Sequence, residues 1–579
     1  MRVQKKINVY ALCYSSGGFA TRTIHTKKIF DAQWCARYTR AVIRNSTTFL
    51  RPLLWVALVG LLLNLLAAFA WLDNAASRGI TFTPAPQPIA HANGPQIGVN
   101  AYNLQFEVEQ AKVARTLDMA RDLGARYVRL HMPWSDVEIH AKNDFEDRRN
   151  AERKSAWQKY DDLFEMMAER GLEPIVRIDR PPDWARPRGI AAPEWQAISA
   201  LNPNADGPPD TFADYADFVG TVATRYATQV RYFQLWNEPN LLDEWGGVAP
   251  DPARFLNLFG QASAAARAAN PQVVILFPSL APTDGLDPRG PITDLEFLDA
   301  IYDLGGAATF DIMSAQAYGL GQPPDEHRYV APRRPFSWRR PLDTRIDVSR
   351  LPLLREVMEQ HGDAGKAIWI SEFGYVSAPP ELPQGWGPPV SEEQKGQYIV
   401  GQIERARREW PYVGVMNVWI LRWGGAPPDP ADPTAYFALV DQDFNPLPSY
   451  TILQNFLAQP AVAGVGAHTP GHAAYTPTTS GAQFRFEGTR LDLIGTGTTG
   501  VAIDGGVPVE IALGDTAQPA ARGLADDIHT ATIGGATPEV LLVVREQPLG
   551  WLWEVGAALL LLALAGAGTL AARELGRRR

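Results

Sequence analysis

The sequence predicts a (β/α)8 barrel of the TIM type followed by a small all-β sandwich domain, with one transmembrane helix at each end of the chain. Three observations carry this. Between residues 95 and 458 a β-rich run followed by a helical stretch recurs eight times. After Pro460 the pattern changes to short β-rich segments broken by Gly-rich turns. At the two ends lie apolar runs of about twenty residues, the length needed to cross a bilayer.

The β-rich runs fall at Gln96–Asn100, Arg126–His131, Glu173–Asp179, Tyr232–Asn237, Val273–Phe277, Phe310–Ala315, Ala367–Glu372 and Val413–Trp419. Between them come amphipathic stretches. In Phe212–Tyr226, for example, Phe212, Tyr215, Phe218, Val219, Val222 and Tyr226 fall on one helical face. Connections from helix to strand are short and carry stop signals at Gly124, Gly171, Asn270 and Gly305. Connections from strand to helix are long, at 180–210, 278–292, 319–347, 373–391 and 424–436. In a barrel these long loops gather at the C-terminal face, where active sites are built. The second domain, over 463–547, reads as strands at Gln483–Ile494, Val501–Leu513, His529–Ile533 and Val540–Val544, with a turn at Asp504-Gly505-Gly506.

The net charge of −9 conceals an asymmetry: residues 1–51 carry ten Lys/Arg against Asp31 alone, leaving −18 for the remainder. An acidic body offers no phosphate-neutralising surface, so nucleic acid is not an expected partner. The basic segment 1–51 precedes the apolar run 52–72, and Arg573, Arg577, Arg578 and Arg579 follow the run 551–572. Both basic flanks belong in the cytoplasm, which makes a two-pass cell-membrane protein with its body extracytoplasmic. Cleavage of the first run as a signal peptide, at Ala68-Phe69-Ala70, is the alternative, and it exports the body too. Residues 73–94, with Pro84, Pro86 and Pro88, read as a stalk linker, and 573–579 as a second cytoplasmic tail. The two cysteines, Cys13 and Cys35, lie in the basic tail, so the body has no disulfide or Cys-ligated metal. Its histidines form no close ligand pair and no Gly-rich phosphate loop precedes a helix, so no metal and no cofactor is expected.

Two strands end in a glutamate with distinctive neighbours. The fourth ends Trp236-Asn237-Glu238-Pro239 and the seventh Ile370-Ser371-Glu372-Phe373. Strands four and seven lie across an eight-strand ring, so both carboxyls reach one cleft. Two carboxyls flanking a scissile bond are what glycoside hydrolysis needs, one protonated and one ionised. Each also has a bland reading, since a Glu after an apolar strand can cap the next helix.

Asn-Glu-Pro after strand four, with a Glu after an apolar strand seven, resembles the clan A glycoside hydrolases, the family 39-like and family 5-like enzymes in particular. The resemblance implies a retaining hydrolase, with Glu238 as acid/base and Glu372 as nucleophile. It implies that Asn237 bonds the sugar 2-hydroxyl, that Arg129 pairs with the nucleophile and that Tyr318 hydrogen-bonds it. Trp419, or else Trp423, would be the stacking platform. Two departures lie close to the site. Gln316 stands where many members have His, and strand three ends Arg177-Ile178-Asp179 without a histidine. Of the twelve tryptophans in 95–458, Trp134, Trp184, Trp245, Trp386 and Trp423 sit at or beyond strand ends, where indoles can stack on sugars. The arginines Arg328, Arg333, Arg334, Arg339 and Arg340 suit either anionic sugars or a solvated surface loop.

The expected partners are thus an oligo- or polysaccharide and a lipid bilayer, with the oligomeric state left open. Two other functions fit the same sequence: a membrane-anchored, non-catalytic glycan-binding scaffold, and a transglycosylase.

Overall fold

The computed structural model describes residues 50–149, 153–286, 288–326 and 346–578. It divides into two units. One is Asn74–Glu546, and the other joins the two ends, up to Asp73 and from Gln547. The basic tail before residue 50 and the arginines between 328 and 340 lie outside the described residues.

In the larger unit eight parallel strands close into a barrel. They are β1 (Gln96–Asn100), β2 (Tyr127–Pro133), β3 (Glu173–Asp179), β4 (Tyr232–Leu235), β5 (Val274–Phe277), β6 (Ile312–Gln316), β7 (Ile368–Phe373) and β8 (Val413–Val418). Each pairs with the next in the chain, and β8 closes on β1 through Gln96 opposite Val415 and Val99 opposite Val418. The strands are buried on both faces, which is why they read as near-continuous apolar runs rather than alternating ones.

Inward-facing residues stack in layers. The lowest is apolar and aromatic, with Tyr127, Ile175, Tyr232, Ile312, Trp369 and Val415 in one cluster. Two residues further along each strand the interior turns polar, with Asn100, Arg129, Arg177, Gln234, Ser314 and Asn417 all buried. The helix Phe212–Arg225 buries Tyr215, Phe218, Val219 and Val222, the face its spacing predicts. Helix Gln110–Leu123 ends at Gly124 with φ 94°, a left-handed cap that glycine adopts without strain.

The segment that reads as a stalk lies against the barrel from about Arg78 onward. Ile80 is buried, Thr81 N donates to Glu409 O at 3.1 Å, and Trp369 Nε1 donates to His91 O at 2.8 Å. Its prolines supply rigid turns and lack N–H groups, so the segment can cross the barrel without leaving unpaired donors. Glu409, on helix Glu392–Glu409, fastens it by pairing with Arg78 and, at 3.0 Å, with Arg405. Arg405 in turn donates to Pro324 O at 2.8 Å and Glu326 O at 3.0 Å, holding the loop after β6.

The domain after the barrel is a two-sheet sandwich. Its strands are β9 (Gly466–His468), β10 (Tyr475–Thr478), β11 (Gly481–Glu487), β12 (Arg490–Ile494), β13 (Thr498–Ile503), β14 (Val509–Ala512), β15 (Gln518–Ala521), β16 (Ile528–Gly535) and β17 (Val540–Val544). The sheets run β9-β17-β12-β15 and β10-β11-β16-β13-β14. Phe484 and Phe486 of one face Leu491, Leu493, Leu541 and Val543 of the other in a shared core. Strands β9, β10 and β15 have no counterpart in the sequence reading. They are short, and Pro477 and Pro519 interrupt their β pattern. Glu487 joins the sandwich to the barrel, 2.7 Å from Arg407 and 3.0 Å from Arg408.

The smaller unit holds two helices long and apolar enough to cross a membrane, Leu50–Ala75 and Trp551–Arg573. They meet at glycines: a Cβ on Gly60 would lie 2.8 Å from Gly556 O, so these backbones touch. Asn64 turns its amide back onto Gly60 O at 2.9 Å, which satisfies its polar group among apolar residues.

Replacing Glu409 with Ala leaves Arg405 buried without its carboxylate. Glu409→Ala is expected to destabilise the larger unit by about 3–5 kcal/mol, measured as a lowered thermal unfolding midpoint. An Arg405→Met/Glu409→Leu double variant, which removes both charges, should recover most of the loss.

Candidate active site

The chain ends of β4, β6 and β7 converge at the C-terminal mouth of the barrel. Past β4 the backbone enters the left-handed region at Trp236 (φ 76°) and again at Glu238 (φ 39°), which is uncommon for residues with a Cβ. Neighbouring strands hold it there. Trp236 N donates to Ile178 O at 2.9 Å and Glu238 N to Ser279 O at 3.0 Å. Such local strain, fixed by its surroundings, is characteristic of functional sites. The next departure is a bulge in β7. Its pairing with β6 steps from Ala315 opposite Ile370 to Gln316 opposite Glu372, which re-aims the Glu372 side chain into the mouth.

The structure brings Glu238, Glu372, Arg129, Tyr318 and Gln316 into one hydrogen-bonded group. Arg129 Nη1 donates to Glu372 Oε1 at 2.8 Å, and Tyr318 Oη donates to Glu372 Oε2 at 2.8 Å. Arg129 is itself fixed by Asn100 Oδ1 at 2.8 Å and Gln234 Oε1 at 2.9 Å. Gln316 Nε2 lies between the two acids, 2.5 Å from Glu238 Oε1 and 3.4 Å from Glu372 Oε2. One nitrogen reaching both oxygens limits their separation to less than about 6 Å, compatible with the ~5–5.5 Å of a double-displacement pair and short of the ~6.5–9.5 Å of an inverting one.

The two carboxyls differ electrostatically. Burial, and then the charge of Glu372, push Glu238 up to about 7, against the opposing pull of the Gln316 amide and Arg177. Tyr318 is raised well above its ordinary range by burial and by Glu372, so it stays an O–H donor. Asn237 is buried, and its Oδ1 has no partner among the described residues, leaving an acceptor for a ligand hydroxyl.

Several residues join the site that the strand-end motifs did not single out. His131, two positions beyond Arg129 on β2, bonds through Nε2 to Asp179 at the end of β3. The imidazole absent from β3 is thus supplied by its neighbour. Burial pushes His131 down to about 4, so it is neutral at ordinary pH. Burial would raise Asp179, but Arg177 and His131 more than offset it and hold the carboxyl well below the usual range. Glu244, in the loop after β4, is raised well above its ordinary value by burial and then by Glu238.

The aromatic residues divide. Trp419 is partly exposed and packs on Tyr102 with centroids 5.3 Å apart, while Trp423 meets Tyr102 edge-on at 5.7 Å and donates to Ala435 O at 3.3 Å. Trp386 packs on Tyr318 at 4.9 Å. Trp134 and Trp245 are wholly buried and belong to the barrel core, and Trp184 packs on the same core, against Trp134. Among the described residues no group of three or more His, Cys, Asp or Glu side chains could hold a metal ion.

Neither known family models nor curated proteins match this sequence. Solved structures do, and those found include glycoside hydrolases of families 39 and 5. A family 39 glycoside hydrolase from Bacteroides cellulosilyticus WH2 is 16% identical, over 80% of this chain and 84% of that one, with a TM-score of 0.45. A family 39 β-xylosidase from Caulobacter crescentus is 15% identical over 78% of this chain and 98% of that one, with a TM-score of 0.43. A family 5 enzyme from Bifidobacterium longum subsp. infantis is 15% identical over 64% of this chain and 80% of that one, also at 0.43.

The Gln316 amide favours the ionised form of Glu238, so its removal raises the carboxyl further. In an infrared titration, with Glu238→Gln as the blank, Glu238 should lose its proton near pH 7. In Gln316→Leu that transition should move to higher pH. A transition near pH 4.5 in the unaltered protein would contradict the burial argument.

Proposed function

We propose that this chain is a retaining glycoside hydrolase acting on an extracytoplasmic or cell-surface polysaccharide. The observation that carries the reading is the pair of glutamates bridged by one amide, close enough for double displacement, with Glu238 raised by its burial.

In the first step the Glu372 carboxylate attacks the anomeric carbon. The bond to the leaving oxygen breaks, and Glu238 delivers its proton to that oxygen. The product is a glycosyl ester on Glu372. In the second step Glu238, now ionised, takes a proton from water, whose oxygen attacks the anomeric carbon and releases Glu372 as carboxylate. Two inversions give retention. Arg129 and Tyr318 hold one Glu372 oxygen each, which fixes the orientation of the nucleophile. The open Oδ1 of Asn237 suits the sugar 2-hydroxyl, a contact that strengthens as positive charge develops on the ring. Trp419, with Tyr102 behind it, offers an indole face to the sugar.

The membrane assignment belongs to the same proposal. Two apolar helices, with basic residues before the first and after the second, favour cytoplasmic ends and a catalytic body outside. Anchorage would keep the enzyme at the surface where its glycan is exposed.

The test uses the full chain in detergent against a glycan panel, following reducing ends and the anomer first released. Hydrolysis with retention, reduced at least ~10³-fold in Glu372→Gln, is the expected result. Inverted product would sink the nucleophile role of Glu372. Glycan binding without turnover would leave a non-catalytic scaffold. Because Glu238 must carry a proton in the first step, kcat/KM should fall as pH rises through about 7, and Gln316→Leu should move that limb upward.

A further inference from the structure

Beside Glu372 the barrel mouth holds a small pocket lined by Asn100, Tyr102, Arg129, Leu130, His131 and Arg177. Two guanidinium groups reach it from adjacent strands. Arg129 is 4% exposed and Arg177 6%, so neither relies on bulk water. Both retain unused donors. Arg129 Nη2 has no hydrogen-bond partner, the other nitrogens being taken by Asn100, Gln234 and Glu372. Arg177 Nε stands 2.9 Å from Asp179 Oδ2 but is not aligned for a hydrogen bond. No hydrogen bond from the Arg177 guanidinium is found among the described residues. Unpaired donors on buried guanidiniums are costly, and the two groups repel each other.

The local charge balance favours an anion. Glu238, about 7, carries a proton in weakly acidic conditions, and burial with the charge of Glu238 raises Glu244 well above its ordinary value. Asp206 at the rim is pushed by burial to about 6. Arg129, Arg177 and Arg180 then face chiefly Glu372 and Asp179 as charged partners, since His131 is neutral. A hydroxyl could accept one or two of the open donors. A carboxylate accepts from both guanidiniums in their planar geometry and supplies the missing negative charge.

We propose that Arg177, together with the open Nη2 of Arg129, forms a subsite for the carboxylate of a uronic acid beside Glu372. This makes the substrate an acidic glycan, and for its link to catalysis it rests on the glycosidase reading above. Arg177 is a specificity residue here, and Arg129 serves both the nucleophile and the subsite.

The experiment compares aryl β-glycosides in matched pairs, uronide against neutral sugar, in gluco, galacto and manno forms, with a 6-sulfated glucoside as a further arm. The full chain in detergent is assayed as wild type, Arg177→Lys and Arg177→Met, and binding of free glucuronate, galacturonate, mannuronate and glucose is followed by calorimetry. In one configuration the uronide should be preferred by at least ~10-fold in kcat/KM. Arg177→Met should bring that ratio to about one, mainly through KM, and Arg177→Lys should keep part of it. Thermal midpoints identify a variant that fails to fold, in which case Arg177→Lys alone decides.

Turnover of neutral glycosides without preference for any uronide, or a preference that Arg177→Met leaves intact, would overturn the subsite and spare the hydrolase. Uronate binding that depends on Arg177, with no turnover of any glycoside, would keep the subsite and overturn the hydrolase. A preference for the sulfated glucoside over every uronide would overturn the carboxylate assignment. Neither binding nor turnover would overturn both.

Discussion

Everything at the barrel mouth depends on two carboxyl groups held within reach of one amide nitrogen but given different partners. Two carboxylates at such a distance repel, so ionisation of one raises the other. Which one yields is decided by their partners. Glu372 receives a guanidinium and a phenol, each at 2.8 Å. Glu238 receives only the Gln316 amide and sits where burial penalises charge. The asymmetry resides in the neighbours, because the two side chains are chemically the same.

The barrel supplies that asymmetry from different strands. Arg129 comes from β2, Asn100 behind it from β1, Gln234 from β4 and Gln316 from β6. Because the strands are cross-linked into a closed ring, each side chain is placed to within what the backbone allows. The aromatic floor below them, centred on Trp369, Tyr232 and Tyr127, leaves no room for the polar layer to sink. Two local irregularities finish the placement, the left-handed residues around Asn237 and the bulge before Glu372.

The regular parts of this design were legible in the sequence and the irregular parts were not. Eight apolar runs locate eight strands because parallel strands are buried on both faces, and most boundaries agree within two residues. Glu238 and Glu372 stood out because each stands at the end of such a run. Arg177 and Asp179 were visible as the end of strand three, but His131 and its pairing with Asp179 were hidden. Alternation within a strand puts them inside the barrel, but a single sequence does not say which β2 residue meets which β3 residue. The register does, by setting His131 opposite Arg177. The Pro-rich segment after residue 78 misled in the same way. Its composition suits a spacer, while its anchors, Glu409 and Trp369, lie about three hundred residues away in sequence.

Gln316 between the acids and His131 beside Asp179 have one consequence in common. A histidine beside the carboxyl pair would titrate between pH 5 and 8 and confuse its protonation with theirs. Here Gln316 stands between the acids, and an amide donates without ever changing charge. The imidazole that is present, His131, is buried against Asp179 and pushed down to about 4, out of that window. What remains to titrate at the mouth near neutral pH is carboxyl chemistry, Glu238 foremost. A glutamine in this place therefore bridges the carboxyls without adding a charge that would lower Glu238. A neutral bridge leaves the burial of Glu238 to raise its carboxyl and adds no further charge beside Arg129 and Arg177. An imidazolium in that place would lower Glu238 and repel the two guanidiniums.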